Sequence, residues 1–382
     1  MHWISKIALL SLHLVIALAL ALVPFLLAYA GETTGGRYIG KAFLGLTVLT
    51  MAPWMLARRS TRRWFKPAML VIGFLVAFCF FRAFQLAPSS PDRSGQFTER
   101  FIGDAKFRRL GLPNLVPEVD QLKLGSYLLS VTDPVLDIKQ GERVRRLFMD
   151  VYVEMRRQAD FVEGGSALGI CYRDIFLSDR TPLHFYQYAP KTKTDTPLPV
   201  LVWLHGSLGN FKGYLWVLKD VADTLGVAIV APTYGVGNWE RDEDSKILKS
   251  VVDYCQSEPD LDGDQLYLGG ISNGGRGCML GLKNIRNTFR GLALISPVSA
   301  TAVIESPGFD AAVNGVPILL LHGETDRRIS LGYIVDGVES LKAMGANVEA
   351  IYYPNEDHFL MFSQRKEMVA RITQWFERRR HS

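Results

Sequence analysis

Residues 265–275 read Gln265-Leu266-Tyr267-Leu268-Gly269-Gly270-Ile271-Ser272-Asn273-Gly274-Gly275. Gln265 to Gly269 has the composition of a short buried strand, and Gly275 to Lys283 that of a helix. Between them stands G-x-S-x-G, in the strand–turn–helix setting that gives the pattern its meaning. A turn that sharp leaves no room for bulky side chains two residues before or after the serine. Gly270 and Gly274 occupy those positions. Ser272 is therefore read as a nucleophile, the alternative being an incidental turn serine.

On either side of this stretch, short apolar runs alternate with helical patterns. The runs are Val200 to Leu204, Val227 to Ala231, Leu292 to Ile295, Ile318 to Leu321 and Val348 to Tyr353. Helices are expected at Tyr214 to Leu225, Ser245 to Gln256, Leu331 to Met344 and Gln364 to Arg379. Such alternation predicts an α/β fold, a mostly parallel sheet covered by helices on both faces. Ile170 to Leu177 and Leu183 to Tyr188 read as a hairpin leading into it. Ligands of such sheets bind at the carboxyl ends of the strands.

A serine hydroxyl needs a base that is itself held in place. Of seven histidines, His2 and His13 lie in the apolar N-terminal part and His381 beside the last residue. His184 falls in the expected hairpin, and His205 and His322 end strands. His358 follows the last expected strand, in a loop at the carboxyl edge, and is the best base. The acid should come from another strand end. Asp326 lies just past Ile318 to Leu321, with Glu324 as the fallback. The order Ser272, Asp326, His358 is that of the α/β-hydrolases. The developing oxyanion calls for backbone donors: Asn273, after the nucleophile, and Ser207 in His205-Gly206-Ser207-Leu208-Gly209, with Gly206 as the near alternative.

Residues 170–382 thus resemble an α/β-hydrolase. The elbow and the His205-Gly206-Ser207 loop are similar to those of polyhydroxybutyrate depolymerases and feruloyl esterases. They also fit the dienelactone hydrolase and prolyl oligopeptidase-like clans. The resemblance implies a serine hydrolase working through an acyl-enzyme, without cofactor or metal. About eighty residues separate the apolar N-terminal part from the hydrolase pattern. A propeller of the prolyl oligopeptidase kind needs several hundred.

The charge balance is +5, from 43 Lys+Arg against 38 Asp+Glu. Arg58, Arg59, Arg62, Arg63 and Lys66 account for that surplus, so the rest is neutral and offers no basic footprint for nucleic acid. With 48% hydrophobic and 21% charged residues, a disordered chain is excluded. Four cysteines without a Cys-x-x-Cys spacing make neither a disulfide scaffold nor a zinc site. Pairing of Cys255 with Cys278 stays open.

Between Lys6 and Glu32 run 25 residues without formal charge. About 20 suffice to cross a bilayer. Shorter apolar runs at 42–57 and 67–81 flank the five cations, so about three transmembrane helices are expected, near 7–30, 40–57 and 67–87. The cations place their loop in the cytoplasm and everything after about Ala87 on the other side, which makes a multi-pass membrane protein. Ala28-Tyr29-Ala30 resembles a cleavage site, so a removed signal is the alternative.

The expected organisation is a membrane domain at 1–87, a linker and helical region at 88–165, a candidate cap, and the catalytic domain at 166–382. Between Gly141 and Asp160, Val144, Leu147, Phe148, Val151, Tyr152 and Met155 recur at helical spacing. That stripe either packs on the following domain or lies on a bilayer surface. Asp260-Leu261-Asp262-Gly263-Asp264 imitates a calcium loop, but the positions that need Gly and Glu hold Gln265 and Ile271, so a turn is the better reading. Cys278 reads as a core thiol.

The interval between the strands Leu292 to Ile295 and Ile318 to Leu321, where many lipases insert a helical lid, is short, about twenty residues. Unless residues 99–165 fold over the site as a cap, an open pocket for small or extended esters is expected, with Phe211, Tyr214, Tyr234 and Trp239 as candidate lining, core or surface residues. The partners implied are a small ester or a peptide and the lipid bilayer; oligomeric state is not legible. A peptidase or acyltransferase would use the same residues. A catalytically silent, membrane-tethered binding module is the reading of another class, and the intact set of residues argues against it.

Overall fold

The computed structural model describes residues 2–56, 62–88, 95–102, 106–177, 184–191, 196–241 and 244–380. Two compact units emerge: Met1–Ser89 with Arg108–Arg145, and Ser90–Phe107 with Arg146–Ser382.

The second unit is built on eight strands: β1 Phe97–Phe101, β2 His184–Tyr188, β3 Leu198–Leu204, β4 Ala228–Pro232, β5 Leu261–Ile271, β6 Phe289–Ile295, β7 Pro317–Gly323 and β8 Asn347–Tyr353. Their order across the sheet is β1-β2-β4-β3-β5-β6-β7-β8. The pairs from β4 through β8 are parallel, and β1 and β2 add an antiparallel edge. This is the α/β-hydrolase fold. Every residue of β3 is buried, as a strand covered by helices on both faces requires. The core runs through Val200, Val202, Leu266, Leu268, Leu292, Leu294, Ile318 and Leu320. At one sheet face the C-terminal helix Arg365–Arg380 seats Trp375, fully buried, against Gly291, where a Cβ would stand 2.7 Å from the indole.

All six expected parallel strands and all five expected helices of this unit are present, with ends moved by a few residues. The hairpin is not. Leu168–Leu177 is a helix whose buried residues Leu168, Cys171 and Asp174 recur every third position. The antiparallel partner of His184–Tyr188 comes instead from Phe97–Phe101, some ninety residues upstream, where the register pairs Phe97 with Tyr188. A partner that distant leaves no local turn signature. Residues 178–183, the expected turn, lie outside the described residues.

The amphipathic stripe at 141–160 becomes the helix Ile138–Met155, in which Val144, Val151, Tyr152 and Met155 are buried. Tyr152 rests on Gly213 at the start of the helix Lys212–Leu225. A stripe buried in protein does not face lipid, so the bilayer-surface reading is set aside. In Leu261–Ile271 the acidic stretch is an Asx turn, Asp262 Oδ1 accepting from the Asp264 N–H at 3.1 Å.

The first unit contains the helices His2–Ala30, Thr34–Leu49 and Arg62–Leu86. Thr33 caps the second by accepting from the Gly36 N–H at 2.9 Å. Buried Asp120 in turn accepts from the Thr33 hydroxyl at 2.5 Å. Two segments are long and apolar enough to cross a membrane: Ala8–Ala30 and Phe65–Leu86, 23 and 22 residues with mean hydropathy 2.5 and 2.1. This corrects the expectation of three. Thr34–Leu49 has 16 residues and carries Arg37 and Lys41. It stops short of the ~30 Å of a bilayer core, because the helix breaks at Thr50–Met51. The loop at 57–61, with Arg58 and Arg59, lies outside the described residues.

Trp375→Ala removes a fully buried indole from the contact between the C-terminal helix and the sheet. The expected cost is about 3–5 kcal/mol, read as a lower urea midpoint of the second unit by tryptophan fluorescence. A midpoint unchanged from wild type would contradict this account of the contact.

Candidate active site

β5 delivers Ser272 at a backbone conformation that side chains rarely adopt, φ 53° and ψ −121°. Such a conformation costs about 1–3 kcal/mol and persists only where the surroundings enforce it. Here the Ser272 N–H donates to Ile295 O at 3.1 Å, and Ser272 O accepts from the Gly275 and Val298 N–H groups, both at 2.9 Å. The turn is possible because its flanks carry no side chains. A Cβ on Gly270 would stand 2.7 Å from Gly274 O, and one on Gly274 only 2.1 Å from Leu204 O.

The Ser272 hydroxyl so presented meets His358, whose Nε2 lies 3.1 Å from Oγ. On the other side of the ring, Nδ1 lies 2.7 Å from Asp326 Oδ2. Asp326 is buried, and its second oxygen accepts from the Arg328 and Ile329 N–H groups at 2.8 and 2.9 Å. Burial pushes this carboxyl toward its neutral form. The hydrogen bond and charge of His358 and the two backbone N–H groups outweigh it and hold the carboxyl below its ordinary range. Glu324, the fallback acid, is exposed on the same loop. His184, His205 and His322 are buried, and burial lowers the basicity of all three, to about 3 for His184 and about 4 for His205.

Beside Ser272 lies the loop after β3. A Cβ on Gly206 would be 3.1 Å from Ser272 Cβ. The Asn273 amide donates to the Ser207 hydroxyl at 2.8 Å, joining the two expected oxyanion residues. Asn273 opens the helix Asn273–Asn284, whose first N–H groups have no helical acceptor. Two supports of this loop escaped the sequence reading. Buried Asn210 donates to Ala231 O at 2.8 Å and to Thr233 Oγ1 at 3.0 Å. His205 bonds through both ring nitrogens. The available signal was weak: His205 directly ends an apolar strand, and Asn210 is a polar residue just ahead of the helix Lys212–Leu225.

Phe211, Tyr214, Tyr234 and Trp239, the candidate lining residues, are all buried. The rings of Trp239 and Tyr234 meet at a tilt, centroids 4.9 Å apart, and the Tyr234 hydroxyl donates a hydrogen bond to Asp244. Next to His358, Phe359 and Phe362 receive the ring of Phe148 edge-on, at 6.1 and 4.7 Å. The two short helices between β6 and β7, Thr301–Ile304 and Phe309–Val313, turn Ile304, Phe309 and Val313 into the core and form no lid. Cys255 and Cys278 are buried free thiols, and burial raises both, Cys255 to about 12. A protonated thiol is a poor nucleophile. Among the described residues, no group of three or more His, Cys, Asp or Glu is placed to hold a metal.

Residues 305–381 match the model of the prolyl oligopeptidase family. The chain is 28% identical over 145 residues to the bifunctional acetylxylan esterase/xylanase XynS20E of Neocallimastix patriciarum, covering 36% of this chain and 21% of that protein. To the uncharacterized peptidase YtmA of Bacillus subtilis it is 33% identical over 63 residues, 16% of this chain and 24% of that one. The matched stretches thus span under a quarter of either relative. Among solved structures, Est1E from Butyrivibrio proteoclasticus superposes with a TM-score of 0.43 at 16% identity, over 52% of this chain and 95% of its own. FphF of Staphylococcus aureus does so with 0.42 at 17%, over 50% and 91%.

The lowered Asp326 carboxyl has a consequence for stability. A group whose folded pKa is depressed stabilises the fold above its unfolded pKa, near 3.8, and loses that contribution as pH falls through the folded value. Wild type is therefore expected to lose stability below about pH 4 by a component that Asp326→Asn lacks. Parallel urea midpoints of the two proteins from pH 5 to pH 2 would contradict it.

Proposed function

We propose that this α/β-hydrolase is a serine hydrolase that cleaves carboxylic esters through an acyl-enzyme on Ser272, tethered to a membrane with its catalytic unit on the non-cytoplasmic face. The observation that carries the reading is the hydrogen-bonded series Ser272–His358–Asp326, with spacings of 3.1 and 2.7 Å, ending on a serine held at positive φ. His358 takes the hydroxyl proton as Oγ attacks the ester carbonyl and returns it to the leaving alkoxide. Asp326 keeps the Nδ1–H tautomer and stabilises the imidazolium. Oxyanion charge falls to the Asn273 and Ser207 N–H groups, each worth about 2.7–4 kcal/mol of transition-state stabilisation where such donors have been removed. Water then enters by the same proton path and releases the acid.

This machinery is assigned to residues 166–382, with 88–165 leading from the membrane end and adding the edge strand Phe97–Phe101 to its sheet. The absence of a lid between β6 and β7, with Phe148, Phe359 and Phe362 beside His358, supports small or extended esters over deeply buried acyl chains. A peptidase reading draws on the family matched at 305–381 and uses the same residues with an amine leaving group. Placement follows from the cations Arg58, Arg59, Arg62, Arg63 and Lys66, which immediately precede or open the candidate span Phe65–Leu86. The positive-inside rule puts that end in the cytoplasm and the hydrolase beyond Leu86 on the other side. A removed signal at the N-terminus would leave this span as the tether.

The test uses the full chain in detergent beside Ser272→Ala, on p-nitrophenyl acetate, butyrate and decanoate and on peptide p-nitroanilides. Wild type should turn over acetate and butyrate best, with the mutant lower by about 10⁴-fold and unlabelled by a fluorophosphonate probe. Anilide turnover above ester turnover would replace esterase by peptidase. Equal background rates with no labelling would remove the enzyme altogether. For topology, protease added outside sealed right-side-out vesicles should digest the second unit; full protection would place the hydrolase in the cytoplasm.

A further inference from the structure

We propose that His205 is a positioning residue for the oxyanion site: its Nδ1–H grips the Gly206 carbonyl and thereby aims the Ser207 N–H at the oxyanion beside Ser272. The inference rests on the serine-hydrolase reading and names a residue that attacks nothing and exchanges no proton in the reaction. His205 is fully buried at the end of β3. Its Nδ1 lies 2.8 Å from Gly206 O, and its Nε2 lies 3.0 Å from the Tyr234 N. A backbone N–H only donates and a carbonyl only accepts, so the two contacts together demand one neutral tautomer, with the proton on Nδ1. Burial, which pushes the ring down to about 4, keeps it neutral at physiological pH.

The carbonyl matters because the peptide unit is planar and trans. In such a unit Gly206 C=O and Ser207 N–H point in opposite directions, so holding one aims the other. The hold is tight on every side. A Cβ on Gly237 would stand 2.3 Å from Gly206 O and 2.9 Å from His205 Nδ1, which leaves the carbonyl no room to withdraw. The preceding carbonyl, His205 O, accepts from Trp239 Nε1 at 3.2 Å. Beyond the donor, Ser207 Oγ accepts from the Asn273 amide at 2.8 Å. Gly206 itself abuts Ser272, as its 3.1 Å approach to Ser272 Cβ requires. Among the described residues no acceptor meets the Ser207 N–H, which suits a donor awaiting an oxyanion.

Two isosteric substitutions separate positioning from packing. In His205→Asn the amide nitrogen takes the place of Nδ1, keeping the donor to Gly206 O and losing the acceptor for the Tyr234 N–H. In His205→Gln the amide oxygen takes the place of Nε2, keeping that acceptor and losing the donor. Both remove the ring, so a merely structural role would affect them alike. On p-nitrophenyl acetate, His205→Gln should lose kcat by about 10²-fold with KM within about threefold, and His205→Asn should keep most of it. Equal kcat in the two variants, whether both fall or neither does, would overturn the proposal.

Should either variant fail to fold, ¹⁵N NMR of the histidine rings in wild type decides instead. The proposal expects one His205 signal set with the proton on Nδ1, unchanged from pH 8 to pH 5. A proton on Nε2, or a ring that titrates above pH 6, would overturn it. Failure of the hydrolase reading is recognised separately, as a wild type that neither turns over esters nor takes the fluorophosphonate.

Discussion

The close approach of Gly274 to Leu204 O is the constraint on which the site depends. With only hydrogen atoms at that α-carbon, the helix Asn273–Asn284 starts hard against the end of β3. No side chain fits in the 2.1 Å that a Cβ would have. The turn between β5 and this helix is consequently too short for a relaxed backbone, and Ser272 takes the strain at φ 53°. The strain does chemical work of a passive kind. It sets Ser272 directly before the first residue of the helix, with its hydroxyl 3.1 Å from His358 Nε2. One steric fact at Gly274 thus places both the hydroxyl that we propose attacks and the residue proposed to steady the charge it generates.

Sheet order supplies the rest. β3 and β5 are neighbours although a strand and two helices separate them in sequence, so the loop 205–211 opens beside Ser272. β7 and β8 are neighbours on the other side, which puts Asp326 and His358 within 2.7 Å. The acid needs a buried place to act on one ring alone, and burial by itself would neutralise it. Arg328 and Ile329 resolve that conflict with backbone N–H groups from its own loop. A carboxylate satisfied by amides as well as by the ring stays ionised where a bare one would not. It then has no reason to move when the imidazole charges.

What could be read in the sequence follows from how local each signal is. The parallel strands were legible because a strand buried on both faces must be apolar throughout, as Val200–Leu204 and Ile318–Leu321 are. Ser272, Asp326 and His358 were singled out by their places just past β5, β7 and β8, and the structure sets the three within hydrogen-bond reach of one another. The edge was not. β1 and β2 pair across some ninety residues, and Glu99 and Arg100 give Phe97–Phe101 no apolar run. Leu168–Leu177 has enough β-branched and aromatic residues to imitate a strand, and only its tertiary neighbours select the helical face. The middle apolar run at 42–57 misled for another reason. Hydropathy counts residues, whereas spanning needs an unbroken helix, and this one stops at Thr50.

His205 and His358 show why chemistry cannot be assigned from residue type and strand position alone. Both follow a parallel strand at the carboxyl edge, and both use two ring nitrogens in hydrogen bonds. The difference is in the partners. His358 faces a carboxylate and a hydroxyl, one able to hold a positive ring and the other able to give up a proton, and it is partly exposed to the cleft. His205 faces a carbonyl and an amide N–H, and charging it would set its second proton against that N–H in a fully buried place. The first set of partners suits the proton transfer proposed for Ser272, whereas the second, with burial, disfavours a charged ring. A histidine held neutral by burial is a rigid bifunctional strut, and at this sheet edge a strut under Gly206 is what we propose fixes the direction of the Ser207 N–H.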